Sequence, residues 1–128
     1  MENNIIKYNS EEVGQTFIQY FYSSWLNDPQ VLIYSIITLR SKIKYNNIIY
    51  EYTDIIHLLN QLKSKGLEIS VSKHEILDSN SRQIYILVKG LIKNSQSTNT
   101  FTQTFVLIYT GKSTNNQWNL INSILIIE

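Results

Sequence analysis

Residues 84–127 carry apolar side chains on both parities of three strand-like stretches, 84–92, 101–109 and 118–127, separated by turn-rich gaps at 93–100 and 110–117. Successive side chains on a strand point to opposite faces. In the last stretch Trp118, Leu120, Ile124 and Ile126 therefore share one face, while Ile121, Leu125 and Ile127 share the other. An antiparallel sheet that is wet on one side alternates apolar and polar residues. These strands do not, so both of their faces need covering.

The first two thirds of the chain supply one cover. Val13, Phe17, Tyr20, Phe21 and Trp25 recur at helical spacing over residues 9–26, with Asn9 or Ser10 as cap and Glu12 as its partner. Gly14 stands near the start, where it allows a close approach. Asp28-Pro29 stops this helix and starts a short second one to about residue 37, placing Val31, Leu32 and Tyr34 near the core. Residues 41–45 and 48–50 read as a hairpin around Asn46-Asn47, a turn pair that tolerates positive φ. Thr53 as cap and Asp54 open a third helix, whose stripe is Ile55, Leu58, Leu59 and Leu62 with Ile56 at its edge. Lys63, Lys65 and Gly66 suit its end, and His57 falls opposite the stripe, on the exposed side.

From Leu67 the period changes to two, and it breaks at Lys73-His74-Glu75, which predicts a bulge or bend. His74 and Glu75 are strand neighbours and point to opposite faces, so they make no acid–base pair by themselves. Residues 78–81 form a turn. The order is helix, helix, hairpin, helix and four long strands, an α+β chain in which a bent antiparallel sheet wraps three helices. Those helices fill the concave face and leave the convex face open. Each apolar side chain left there forgoes about 1.5–3 kcal/mol of burial, more than the roughly 0–1 kcal/mol of a surface ion pair. The second parity therefore calls for a partner.

Composition narrows the alternatives. The 128 residues suit one domain, 1–128. With no Cys there are no disulfides and no thiol chemistry, and two distant histidines make no metal pattern. A net charge of +1 with mixed signs argues against a broad nucleic-acid surface. Arg40, Lys42 and Lys44 make a modest basic patch, so direct RNA binding is weak at most. No apolar run reaches the roughly 20 residues of a membrane helix, and the start, Met1-Glu2-Asn3-Asn4, lacks signal-peptide character, which gives an intracellular expectation. The acids Glu12, Asp28, Asp54, Glu68 and Asp78 sit at helix starts, at turns and on the polar side of a strand. No catalytic residue, metal or cofactor is expected.

Phe101-Thr102-Gln103-Thr104-Phe105 resembles the Phe-x-Gln-x-Phe pattern of the nuclear transport factor 2 family. Phe17-Ile18-Gln19-Tyr20-Phe21-Tyr22 is similar to the family's aromatic first helix, and Asn27-Asp28 to its exit. Ile43-Lys44-Tyr45 with Asn46 resembles its hairpin, residues 55–62 its third helix, and Val88-Lys89-Gly90 its Val-x-Gly strand. Trp118 and Asn122 fall where its last strand has an aromatic and an Asn. The likeness spans about residues 10–127. It implies a cone, three N-terminal helices packed in the concave face of a strongly bent antiparallel sheet, and pairing through the convex face.

Within that family the resemblance implies a non-catalytic transport module. The transport factor proper carries Ran in its GDP form and uses acids after the hairpin aromatic and after the Val-x-Gly strand. This chain has Asn46 at the first place and no acid in 93–97, so Ran binding is not expected. Asn46, the stretch 68–71 and Asn116-Gln117-Trp118 look more like the small messenger-RNA export cofactor. That cofactor pairs with a matching domain of a larger export receptor and helps dock at Phe-Gly nucleoporins, in nucleus and cytoplasm and at the nuclear envelope. Ile126 stands where the cofactor has Arg, which implies a hydrophobic or rewired contact. The implied interface is Tyr85, Leu87, Phe105, Tyr109, Trp118, Leu120, Asn122, Ile124 and Ile126, with Tyr45 and Asn46 at a second, nucleoporin-type contact. The alternatives are a homodimer importing Ran-GDP and a small enzyme or ligand-binding protein of the same cone.

Overall fold

The structure, a computed structural model, describes residues 8–79, 82–110 and 118–128. The turn expected at 78–81 is therefore seen only in part, and the chain start, most of the 110–117 gap and the Asn116-Gln117 match lie outside the described residues.

Helix α1, Ser10–Asn27, begins at Asn9, whose side chain accepts from the Glu12 backbone N–H at 3.1 Å, with Glu11 and Glu12 in the favourable first turn. Asp28 ends it and in turn caps the next segment by accepting from the Gln30 N–H. That segment, Pro29–Tyr34, is a 3₁₀ helix rather than the α-helix expected to about residue 37. The difference decides which side chains are buried. Three residues per turn put Pro29 and Leu32 on one line and Val31 and Tyr34 on another. The first pair is buried, whereas Tyr34 is 81% exposed and Val31 also faces solvent.

Strand β1, Ile37–Tyr45, and β2, Ile48–Glu51, form the expected hairpin, and Asn46 and Asn47 both take positive φ, 53° and 66°. Helix α2, Thr53–Lys63, buries Ile55, Ile56, Leu58 and Leu59 and leaves His57 exposed. Its N-cap position is Tyr52, at φ 49° and without a side-chain cap bond. Thr53 is thus the first helical residue and not the cap. Gly66 takes φ 75° just past the helix, as its lack of a Cβ allows.

The remaining strands are β3 (Glu68–Asp78), β4 (Gln83–Lys93), β5 (Thr98–Tyr109) and β6 (Trp118–Ile127). They join one six-stranded sheet in the order β2-β1-β6-β5-β4-β3. The sheet is mixed, because β1 pairs with β6 in parallel while the other pairings are antiparallel. The all-antiparallel expectation fails for a topological reason. Helix α2 carries the chain back after β2, so β3 runs the same way as β2, and three further reversals leave β6 parallel to β1.

Irregularities bend this sheet. A register shift lies between Val71 and Lys73, at the break seen in the sequence, and another sets Leu107 of β5 against Leu120 after Val106 against Asn122. Gly90 is required by contact, since a Cβ there would run into the Ser70 carbonyl oxygen. Gly14 lets α1 lie on β3, because a Cβ would sit 2.5 Å from the Ile76 side chain. The concave face then packs the helices. Phe105 meets Phe17 and Phe21 edge-on, each at 5.0 Å between ring centres. Trp25 is fully buried and donates from Nε1 to the Leu59 carbonyl at 3.0 Å, tying α1 to α2.

Candidate partner interface

The strand register fixes which side chains share the outer, convex face. One row across the sheet runs Leu77, Tyr85, Val106, Asn122, Lys42 and Glu51. The next runs Glu75, Leu87, Thr104, Ile124, Lys44 and Ile49, and a third contains Lys73, Lys89, Thr102 and Ile126. Ile124 and Ile126 are 45% and 47% exposed, and Leu77, Tyr85, Leu91 and Ile49 are also exposed large apolar groups. On the β3–β5 side this face holds a hollow of about 540 Å³, lined by Glu75, Leu77, Tyr85, Leu87, Thr104 and Val106 and floored by the next residues of each strand.

Of the nine interface positions expected from sequence, Tyr85, Leu87, Asn122, Ile124 and Ile126 lie on this face. The other four do not. Phe105 and Leu120 are core residues, 1% and 0% exposed. Inward residues of β5 are Phe101, Gln103, Phe105 and Leu107, so Phe105 belongs to the helix side. The extra residue in β6 flips parity between Leu120 and Ile124, so the two cannot share a face. Tyr109 and Trp118 contact each other edge-on at 5.3 Å, half-buried, and Trp118 lines the mouth of the cone. Tyr45 packs on the core from the inner side, and Asn46 is exposed at the hairpin tip. Leu77, Leu91 and Val106 share this face without having been named from sequence; parity relative to Gly90 and Gln103 would have placed Leu91 and Val106, whereas Leu77 is placed by its pairing with Tyr85.

The concave side offers little chemistry. Gln103 is fully buried, accepts from the Tyr22 hydroxyl at 2.7 Å and donates to Ser123 Oγ at 3.0 Å. Burial pushes the Tyr22 hydroxyl well above its ordinary pKa, so this chain of three groups is neutral and satisfied. The mouth holds a hollow of about 550 Å³ between α1, Ser35-Ile36 and Trp118, lined mainly by Val13, Phe17, Tyr20, Ile36 and Trp118. Its ionisable lining groups are Glu12, which is exposed, and Tyr20, whose hydroxyl is bonded to Ser35 Oγ at 2.6 Å. At the same end, burial first and the neighbouring Asp78 carboxylate second raise the Tyr8 hydroxyl to about 12. His74 reaches Glu11 across to α1 at 3.2 Å, while Glu75 pairs with Lys73 on the opposite face. Among the described residues no cluster of His, Cys, Asp and Glu could hold a metal, and no helix is long and apolar enough to cross a membrane.

A cone built from three helical segments and a bent sheet has known counterparts. Nuclear transport factor 2 from Cryptosporidium parvum superposes with a TM-score of 0.81 at 16% identity, over 97% of this chain and 100% of that one. The fold is that of nuclear transport factor 2. The yeast UBP3-associated protein BRE5 follows at TM-score 0.78 and 16% identity, covering 95% and 98%; it is also known as a cofactor in complex with the deubiquitinase Ubp3. A candidate ketosteroid isomerase from Shewanella frigidimarina reaches 0.70 at 13% identity, covering 85% and 90%. At these identities the likeness is one of fold. No family model and no curated protein sequence matches the chain.

Proposed function

We propose that this protein is a non-catalytic interaction module that works as one half of a pair joined sheet to sheet, in nucleocytoplasmic transport. The exposed apolar rows on β3, β4 and β6 around Val106 carry this reading. The inner face supports it, because among the described residues its buried polar groups are bonded and the hollow at its mouth is lined by no paired acid and base. Two of the neighbours are a nuclear transport factor and a cofactor in complex with a deubiquitinase.

The finer assignment is messenger-RNA export. Asn46 after Tyr45 and the acid-free 93–97 loop favour it over Ran-GDP import. The mate is a domain presenting a sheet of the same kind, carried by a larger export receptor or by a second copy, and the pair docks at Phe-Gly nucleoporins. The chain then works in nucleus and cytoplasm and at the nuclear envelope. The test is capture of the protein from its native cell, with Ile124→Asp as control. Export factors and nucleoporins retained by the wild type and lost by the variant are the expected result. A partner set indifferent to Ile124→Asp would overturn it. A second reading, binding of a small apolar ligand, is favoured by the hollow at the mouth. Saturable binding there that is lost in Trp118→Ala, with no partner captured, would replace the first.

A further inference from the structure

We infer that the free edge of β3 takes up an extended, strand-forming segment of another protein, whose alternate apolar side chains enter a cleft between β3 and α1. This surface is separate from the convex face, and it stands or falls without the pairing proposed above.

The edge itself asks for a strand. β3 closes one side of the sheet, with β4 as its strand neighbour. Among the described residues no other element makes a backbone hydrogen bond to residues 68–78. An edge strand carries a row of outward N–H and C=O groups, which an incoming strand can pair. Short edges are a common protection against this. The opposite edge, β2, has four residues, whereas β3 has eleven. At about 3.3 Å per residue that edge runs for roughly 36 Å.

The cleft decides what the strand carries. Beside the edge lies a hollow of about 470 Å³, lined by Ile18, Tyr22 and Leu26 of α1 and by Val71 and His74 of β3. Its size falls within the roughly 300–1,000 Å³ of ligand clefts. Val71 and His74 are three apart, an odd spacing that puts two residues on opposite faces of a regular strand. The register shift between Val71 and Lys73 brings both to the inner side, Val71 against Gly90 and His74 against Val88. A strand laid along β3 at about 4.8 Å continues the same pleat. Its inward side chains opposite Val71 and His74 therefore point towards α1, into the cleft. Apolar residues at every second position fit that lining.

Other readings of the edge fit less well. A helix satisfies its own backbone and would leave the β3 edge unpaired. The bulge, with Lys73 beside it, blunts an edge, but protection alone has no use for an apolar cleft. The outward side adds continuity. Glu75 and Leu77, on the other parity of β3, line the convex hollow, so an added strand extends that surface by one more row. The incoming segment thus alternates apolar residues inward with polar ones outward, beside exposed Lys73 and Glu75. It carries no Pro where its N–H must pair.

The test is fluorescence anisotropy of a labelled octapeptide of alternating Val and Thr, with a Lys added at each end, titrated with the full chain. Saturable binding is expected. Val71→Glu places a charge in the cleft, and Ser23→Trp fills it from an exposed position on its rim. Each should weaken binding about tenfold or more, while Ile124→Asp on the convex face should leave it within about twofold. Backbone N-methylation supplies a readout particular to strand pairing. Methylating one alternate set of peptide amides, either the Val or the Thr set, should abolish binding, and methylating the other should spare it. Equal loss from both sets, or from neither, would overturn the inference. So would the absence of saturable binding, binding indifferent to Val71→Glu and Ser23→Trp, or binding lost in Ile124→Asp. A dimer in sedimentation that Val71→Glu dissolves would assign the edge to a second copy instead. Capture from the native cell with the Ile124→Asp control tests the convex face on its own, so the two readings fail independently.

Discussion

The two faces of β4, β5 and β6 are made of alternate residues of the same strands, yet they are built on different chemistry. The inner face is aromatic and locked: Phe101, Phe105 and Gln103 are held by Phe17, Phe21 and Tyr22, with polar groups satisfied in a three-membered chain. The outer face is aliphatic and Thr-rich, with Ile124, Ile126, Leu87 and Val106 beside Thr102 and Thr104. Close packing fixes the first in one arrangement, while the second is a surface held ready. Under the proposed pairing, stability and association are separable, residue by residue along a strand.

That separation can be broken from either side. The largest expected effect is inside: Phe105→Ala should cost about 3–5 kcal/mol, read as a fall in the urea midpoint of unfolding. Next comes Gln103→Leu, which leaves the buried Tyr22 hydroxyl without its acceptor and should cost about 1–3 kcal/mol. Adding Tyr22→Phe to Gln103→Leu should recover part of that loss, since the orphaned hydroxyl is gone, and a double-mutant cycle measures the coupling. If the second substitution makes matters worse, the hydroxyl has another acceptor and the chain of three is wrongly drawn.

On the outer face, Ile124→Thr should leave the unfolding of the isolated chain within about 0.5 kcal/mol of wild type, as for an ordinary surface change, while weakening association in the same sample. Stability measured at low protein concentration keeps the two readouts apart. The smallest effect concerns acid. Hydrogen bonds from Gln15, and then from His74, hold the exposed Glu11 carboxyl below its usual range. A depressed carboxyl stabilises the fold above the ordinary carboxylate pKa, and that contribution fades as pH falls through its folded value. The melting-temperature difference between wild type and Glu11→Gln should therefore shrink from pH 7 towards pH 3, and a difference that grows on acidification would contradict the geometry.

Local rules were legible where one residue type decides the backbone. Gly66 past α2, the Asn46-Asn47 turn and the Asn9–Glu12 cap all came from side-chain chemistry within a few residues. The break at Lys73 marked a bulge because polar residues replaced an alternating pattern. Legibility ended where a distant partner chose between local options. Residues 118–127 are apolar on both parities, so only pairing with β5 reveals the extra residue that turns Leu120 inward and Ile124 outward. Pro29–Tyr34 carries a good start signal for either helix type, and its tighter winding shows in which side chains the core accepted. The parallel β1–β6 pairing joins residues some 80 positions apart, beyond the reach of periodicity.

That pairing also shapes how the chain must assemble. Strand β6 comes last of six but lies in the middle of the sheet, between β1 and β5. The hairpin β1–β2 is made early and finds its main neighbour only after β6 has formed. Such long-range closure is slow, because the entropy of a large loop is spent before any contact rewards it. During synthesis one edge of β1 and one edge of β5 therefore wait unpaired, an opening for wrong strand pairing that a chaperone would be positioned to guard. A chain cut before β6 would retain its helices and the β3–β5 meander, and it would expose the edges of β1 and β5 in addition to the β2 and β3 edges that the finished sheet keeps.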